Sequence, residues 1–134
     1  RPSHVTNNTE IAALCAPRPL MLISCGGDWT SHTPQVEFPF VRRIYGMYGK
    51  RNHIENAHFP QEGHDYGASK RQAMYRFFGM HLRLSQGSRW ENENATMNES
   101  SVVVESHQTL QVFTKQHPLP EHALPPNSTV TFAR

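Results

Sequence analysis

Pro17-Arg18-Pro19-Leu20-Met21-Leu22-Ile23-Ser24-Cys25-Gly26-Gly27-Asp28-Trp29-Thr30 is the stretch that decides the fold. Its apolar run, Leu20 to Ile23, has no polar alternation, as expected of a strand covered on both faces in a parallel α/β sheet. Pro17 and Pro19 stop any preceding helix and suit the first residues of a strand. Gly26 and Gly27 read as a tight reversal, so a buried strand ends by presenting a carboxylate, Asp28, and an aromatic, Trp29, on a loop.

Working outward, Glu62-Gly63-His64-Asp65-Tyr66-Gly67 offers a histidine in a second glycine-flanked loop. Between the loops, Val41, Ile44, Tyr45 and Tyr48 fall at i, i+3, i+4 and i+7, the spacing of one buried helix face. Gly46 weakens that helix and Gly49 ends it. His53 to Phe59 then alternates as a second strand, with one exposed face or an edge position, and Pro60 closes it. A further amphipathic helix begins near Ala68 and faces inward through Met74, Phe77, Phe78, His81 and Leu82. The order is strand, acid loop, helix, strand, histidine loop, helix. Strands alternating with helices predict a parallel α/β sheet, whose sites lie on loops at the carboxyl ends of its strands. Upstream, Asn7-Asn8-Thr9 caps a short apolar turn over Ile11 to Leu14.

Beyond Leu84 the character changes. Residues 85–101 are rich in Ser, Asn, Glu and Gly and read as a linker. Val102-Val103-Val104 and Leu110 to Phe113 are predicted to pair as short strands, followed by a proline-rich tail. The domain division expected is 1–84 and 85–134. Hydrophobic residues make up 37% of the 134, below the usual globular share, which agrees with a last third that adds little to a core.

The net charge of +2 is dispersed. Arg42-Arg43, Lys50-Arg51 and Lys70-Arg71 read as solvated faces, and no clustered basic surface suggests a nucleic-acid partner. No window reaches the roughly 18 apolar residues of a membrane span. Cys15 and Cys25 sit at opposite ends of the first strand, too far apart for a disulfide, and read as buried free thiols. Residue 1 is Arg, so the visible start reads as internal and the missing signal peptide locates nothing. Sequons at Asn7, Asn94, Asn98 and Asn127 bear on function only in a secreted eukaryotic host.

The chemistry centres on Asp28 and His64. A histidine base needs a group on its second nitrogen that fixes the tautomer and stabilises the imidazolium. Asp28 is placed to supply it, although an Asp after a strand also serves as an ordinary turn or cap residue. Asp65 adjoins His64, but adjacent side chains diverge. Glu62 reads as a solvated loop residue and Glu37 as a first-turn carboxylate facing the helix dipole. His53, His58 and His64 with Asp65 match no helical i, i+4 ligand pair and read as surface histidines, as do the other six, so no metal or other cofactor is expected. Trp29 is a candidate for lining a substrate pocket, or equally for core packing.

Asn8 to Leu14 leading into Ala16-Pro17-Arg18-Pro19, then Gly27-Asp28-Trp29-Thr30, Glu37-Phe38-Pro39, Ile44-Tyr45, Gly63-His64-Asp65-Tyr66 and Arg71 to Tyr75, together resemble the C-terminal half of an α/β-hydrolase, nearest the acetyl xylan esterase and dienelactone hydrolase-like group. The likeness covers residues 5–84. It implies the C-terminal portion of an α/β-hydrolase sheet with an irregular C-terminal extension. It also implies a triad in which a serine precedes an acid and a histidine, Asp28 and His64 matching the last two. The implied activity is serine-dependent hydrolysis of carboxylic esters, with carbohydrate acetyl esters favoured as substrates and a secreted or periplasmic setting. The sequence departs from the pattern in having no G-x-S-x-G elbow and in carrying Asp65 after the histidine, where Asn is frequent. Ser24, Ser31 and Ser69 read as structural, so the nucleophile and oxyanion hole are expected upstream of residue 1 and the isolated chain is expected to be inactive. The rival expectation is a non-catalytic binding module or inactive hydrolase relative.

Overall fold

In a computed structural model, residues 5–84, 90–91 and 96–130 are described below. Two compact units divide the chain after Asn98.

The first unit opens with α1 (Asn8–Ala13), started by a reciprocal cap. Asn7 Oδ1 accepts from the amides of Thr9 and Glu10, both at 3.0 Å, while Glu10 Oε2 accepts from the Asn7 amide at 3.1 Å. This satisfies orphan donors at both ends of the turn. Then come β1 (Leu20–Cys25) and α2 (Glu37–Met47), followed by a short 3₁₀ turn, Arg51–His53. β2 (Ile54–Phe59) and α3 (Ala68–His81) complete the alternation. β1 and β2 pair in parallel, Leu20 opposite Ile54 through Cys25 opposite Phe59. This is a mixed α/β arrangement, with the ends of both strands delivering their following loops to one edge.

The core forms where α2 covers the sheet: Val41 and Tyr45 are fully buried and Ile54 nearly so, with Leu20, Leu22, Phe38 and Phe40 packed against them. The Tyr45 hydroxyl meets the Arg18 carbonyl at 2.6 Å, which lets a polar group sit in that core. Tyr48 is exposed, and Gly49 ends the helix with φ +66°, a conformation glycine adopts without strain.

Several expectations are corrected. β1 is only half-buried from Leu20 to Ile23, becoming buried at Ser24 and Cys25. Cys15 is an exposed thiol, and Cys25 alone of the two is buried. β2 uses its polar residues inward: Asn56 Nδ2 donates to Leu22 O and Ser24 Oγ, both at 3.0 Å, and His58 Nδ1 pairs with Ser24 Oγ at 2.8 Å. The inner side of α3 is Lys70, Ala73, Phe77 and Gly79, whereas Phe78 and Leu82 are exposed.

Part of the expected linker is structured. β3 (Trp90–Glu91) and β4 (Thr96–Met97) pair antiparallel. Gln72 on α3 secures β4 through both polar atoms, donating to Met97 O at 2.8 Å and accepting from its amide at 2.6 Å. His4, Asn94 and residues 85–89 lie outside the described residues.

The second unit, from Glu99 onward, contains α4 (His107–Leu110), capped by Ser106 Oγ on the Thr109 amide. The predicted hairpin does not form among its described residues. Ser106 instead starts a helical turn between the two segments, and Val102 to Val104 remain exposed. An isolated pair of strands has too little burial to hold together. Among the described residues no helix is long and apolar enough to cross a membrane.

Candidate active site

The two loops meet backbone to backbone. Beyond β1 the parallel ladder continues as Gly26 N–H donates to Phe59 O at 3.0 Å and Gly27 N–H to Glu62 O at 2.9 Å. A Cβ on Gly26 would stand 2.0 Å from Pro60 O, and one on Gly27 would stand 2.8 Å from Gly63 Cα. The glycines turn the chain after β1, as expected, and also allow the close approach between the loops.

This approach sets Asp28 beside His64. His64 Nδ1 lies 2.7 Å from Asp28 Oδ2, although the residues are 36 apart in the chain. The other carboxylate oxygen, Oδ1, accepts from the Thr30 amide at 2.7 Å and the Thr30 hydroxyl at 2.5 Å. Thr30 Oγ1 in turn accepts from the Cys25 amide at 3.0 Å, anchoring the loop to the end of β1. The hydrogen bonds from the Thr30 hydroxyl, His64 and the Thr30 amide hold the Asp28 carboxyl far below the usual carboxylate range. An ionised carboxylate only accepts, so His64 Nδ1 carries the proton and a neutral ring leaves Nε2 free as a base. The Asp28 side chain is 12% exposed and that of His64 79%, so the buried member orients the accessible one.

The neighbouring candidates fall elsewhere. Asp65 turns away, accepting from Lys70 Nζ at 2.5 Å and the Gly67 amide at 3.0 Å, and these contacts lower its pKa. Glu62, expected to be solvated, accepts from Ser69 Oγ at 2.7 Å and pairs with Lys70 at 3.2 Å. Lys70, expected on a solvated face, is buried. The hydroxyls of Ser24 and Ser69 are committed to His58 and Glu62. Glu37 occupies the first turn of α2. Among the described residues no group of three or more potential ligands is placed to hold a metal.

Trp29 is exposed. It borders a cavity of about 760 Å³ lined by Met21, Ile23, Thr30, Phe40 and Val41 among others, of which neither Asp28 nor His64 is a lining residue. The cavity thus meets the acid loop through Trp29 and Thr30 and leaves the Asp28–His64 pair outside its lining.

Lys70 is what sequence reasoning missed. It follows Glu62 by eight positions. Its place in the first turn of α3, just after an acid-containing loop, puts it within reach of that loop, but a Lys-Arg pair at a helix start carries no sign of burial.

No family model and no curated protein sequence matches the chain. A solved structure of methylesterase BT1017 does match, with a TM-score of 0.71 and 39% identity over 88% of this chain. The chain is similar to part of an esterase. It spans 25% of that protein's length.

Proposed function

We propose that this chain supplies the acid and the base of a serine-dependent carboxylic ester hydrolase. The 2.7 Å bond from His64 Nδ1 to Asp28 carries the reading, because it leaves Nε2 as an exposed base held in one tautomer. The likeness to a methylesterase at 39% identity supports an esterase chemistry for it. In the mechanism, His64 Nε2 takes the proton of a serine hydroxyl as that oxygen attacks the ester carbonyl. It then returns the proton to the departing alkoxide. Water repeats the sequence on the acyl-serine, releasing the acid and regenerating the hydroxyl. Asp28 balances the imidazolium in both steps.

The serine is supplied by protein outside residues 1–134, as the elbow motif is not found within them. The ester is a small one borne by a carbohydrate, with Trp29 offering an apolar face to the sugar ring. Acetyl esters follow from the sequence resemblance, and methyl esters from the name of the structural neighbour.

The test is release of methanol from methyl-esterified and of acetic acid from acetylated polysaccharides by the full protein, beside its His64→Ala variant. Turnover of either ester that falls about 1,000-fold or more in the variant supports the reading. Absence of turnover with both, or turnover indifferent to His64→Ala, overturns it.

A further inference from the structure

Lys70 is the buried basic residue of the described chain, 2% exposed, and its ammonium is aimed at the loop that carries His64. Nζ donates to Gly63 O at 2.8 Å and to Asp65 Oδ1 at 2.5 Å, and it lies 3.2 Å from Glu62 Oε2. Two of these partners are the residues immediately before and after His64. An ammonium has three donors converging on one atom, and these three acceptors account for them. The planar fork of an arginine spreads its donors and could not converge in this way.

The first turn of α3 adds to the clasp. Ser69 Oγ holds Glu62, and the Gly67 amide holds Asp65. The exposed His64 ring, by contrast, is secured through its bond to Asp28. Whether Nδ1 faces the carboxylate therefore depends on the backbone path from Gly63 to Asp65, which Lys70 fixes from beneath.

We propose that Lys70 is a positioning residue for His64, clasping the histidine loop so that the imidazole meets Asp28. Fold stability alone is a poor account of such a residue, since buried ion pairs are often replaceable by apolar side chains without loss of stability. What the ammonium adds is the placement of two backbone segments and two carboxylates around one point. The inference rests on the esterase reading for its kinetic consequences, while the geometry of the His64–Asp28 bond is independent of turnover.

The experiment compares Lys70→Met and Lys70→Arg with the native residue in the full protein, by kinetics and by NMR of the His64 ring. In Lys70→Met, kcat is expected to fall about 10- to 100-fold with KM changed less than about twofold, because the base is misplaced and substrate contacts are not. Lys70→Arg, which keeps charge without convergence, is expected to lie between. The His64 Nδ1 proton, shifted downfield by the Asp28 bond in the native protein, is expected to broaden or vanish in Lys70→Met while the rest of the spectrum stays dispersed. A folded Lys70→Met with kcat within about twofold of native and an unaltered His64 resonance overturns the proposal. A kcat loss with an unaltered resonance overturns it too. If Lys70→Met does not fold, Asp65→Asn, at an exposed partner of the same clasp, decides: a broadened resonance supports the clasp and a sharp one overturns it. Should the native protein lack esterase activity, the functional reading fails, and the resonance comparison still decides the role of Lys70.

Discussion

Gly27 and Glu62 are joined by an amide-to-carbonyl hydrogen bond of 2.9 Å, at a point where a Cβ on Gly27 would stand 2.9 Å from that same carbonyl oxygen. The bond and the bare α-carbon are two aspects of one constraint, since the acid loop and the histidine loop touch through main chain. Gly27→Ala is expected to force them apart. Overpacking of this kind costs about 1–3 kcal/mol, which thermal denaturation would register. On the proposed esterase reading kcat/KM should fall as well, by about 100-fold, because that is what a shift of about 1 Å in the base is worth. A Gly27→Ala protein with normal kinetics would show that the seam does not set the geometry.

Asp28→Asn is expected to reverse the tautomer of His64. Thr30 presents two donors to one oxygen of the side chain, so the amide oxygen of an asparagine takes that place and its NH₂ faces the ring. Nδ1 must then accept, and the proton moves to Nε2, where a base has to be empty. A fall in kcat of about 1,000-fold or more is expected, with ¹⁵N shifts of the imidazole reporting the exchanged tautomer. Retention of the native tautomer in this variant would remove the explanation.

The same carboxylate governs acid stability. Asp28 titrates well below its ordinary value of 3.8 in the folded chain, through its hydrogen bonds to Thr30 and His64. A depressed folded value means that the unfolded chain takes up the proton first, so the stabilisation is complete above the ordinary value and drains away as pH falls through the folded one. Asp65 is depressed too, by Lys70 and the Gly67 amide. Tm followed from neutral pH downward should therefore fall less steeply below 3.8 in Asp28→Asn than in the native protein. Adding Asp65→Asn should flatten it further. Equal slopes in all three would refute the linkage.

Tyr45→Phe tests the core away from the site. The phenol is fully buried and meets the Arg18 carbonyl, so its removal leaves that acceptor without its donor. About 0.5–1.5 kcal/mol of stability should be lost, read by denaturant melts, with little change in KM, since Arg18 is exposed and water can replace the phenol at its carbonyl.

The sequence made the alternation of strand and helix legible because each element is punctuated by residues with one plain use: prolines before β1, Gly49 after α2, Pro60 after β2. It made the pairing of Asp28 with His64 legible because both follow strands that run in parallel. The burial of Lys70 was hidden, since a Lys-Arg pair at a helix start looks solvated until the fold shows a loop folded back over it. Asn56 and His58 misled similarly. Their polarity is spent on β1 through Leu22 O and Ser24, and an alternating pattern in one strand cannot reveal that its neighbour has polar partners to offer. The valines at 102–104 have high strand propensity, but propensity without a surface to cover does not make a strand.

Each half of the dyad is wired to its own near neighbours. Thr30 holds Asp28 from two residues away, and Lys70 reaches Gly63 across seven, whereas the bond that unites the halves spans 36. Short closures cost little chain entropy, and the long one becomes affordable only once β1 and β2 have zipped together. The bond between the imidazole and the carboxylate therefore depends on the pairing of β1 with β2. Anything that separates the two strands also parts the imidazole from its carboxylate, however firmly each is held by its own loop.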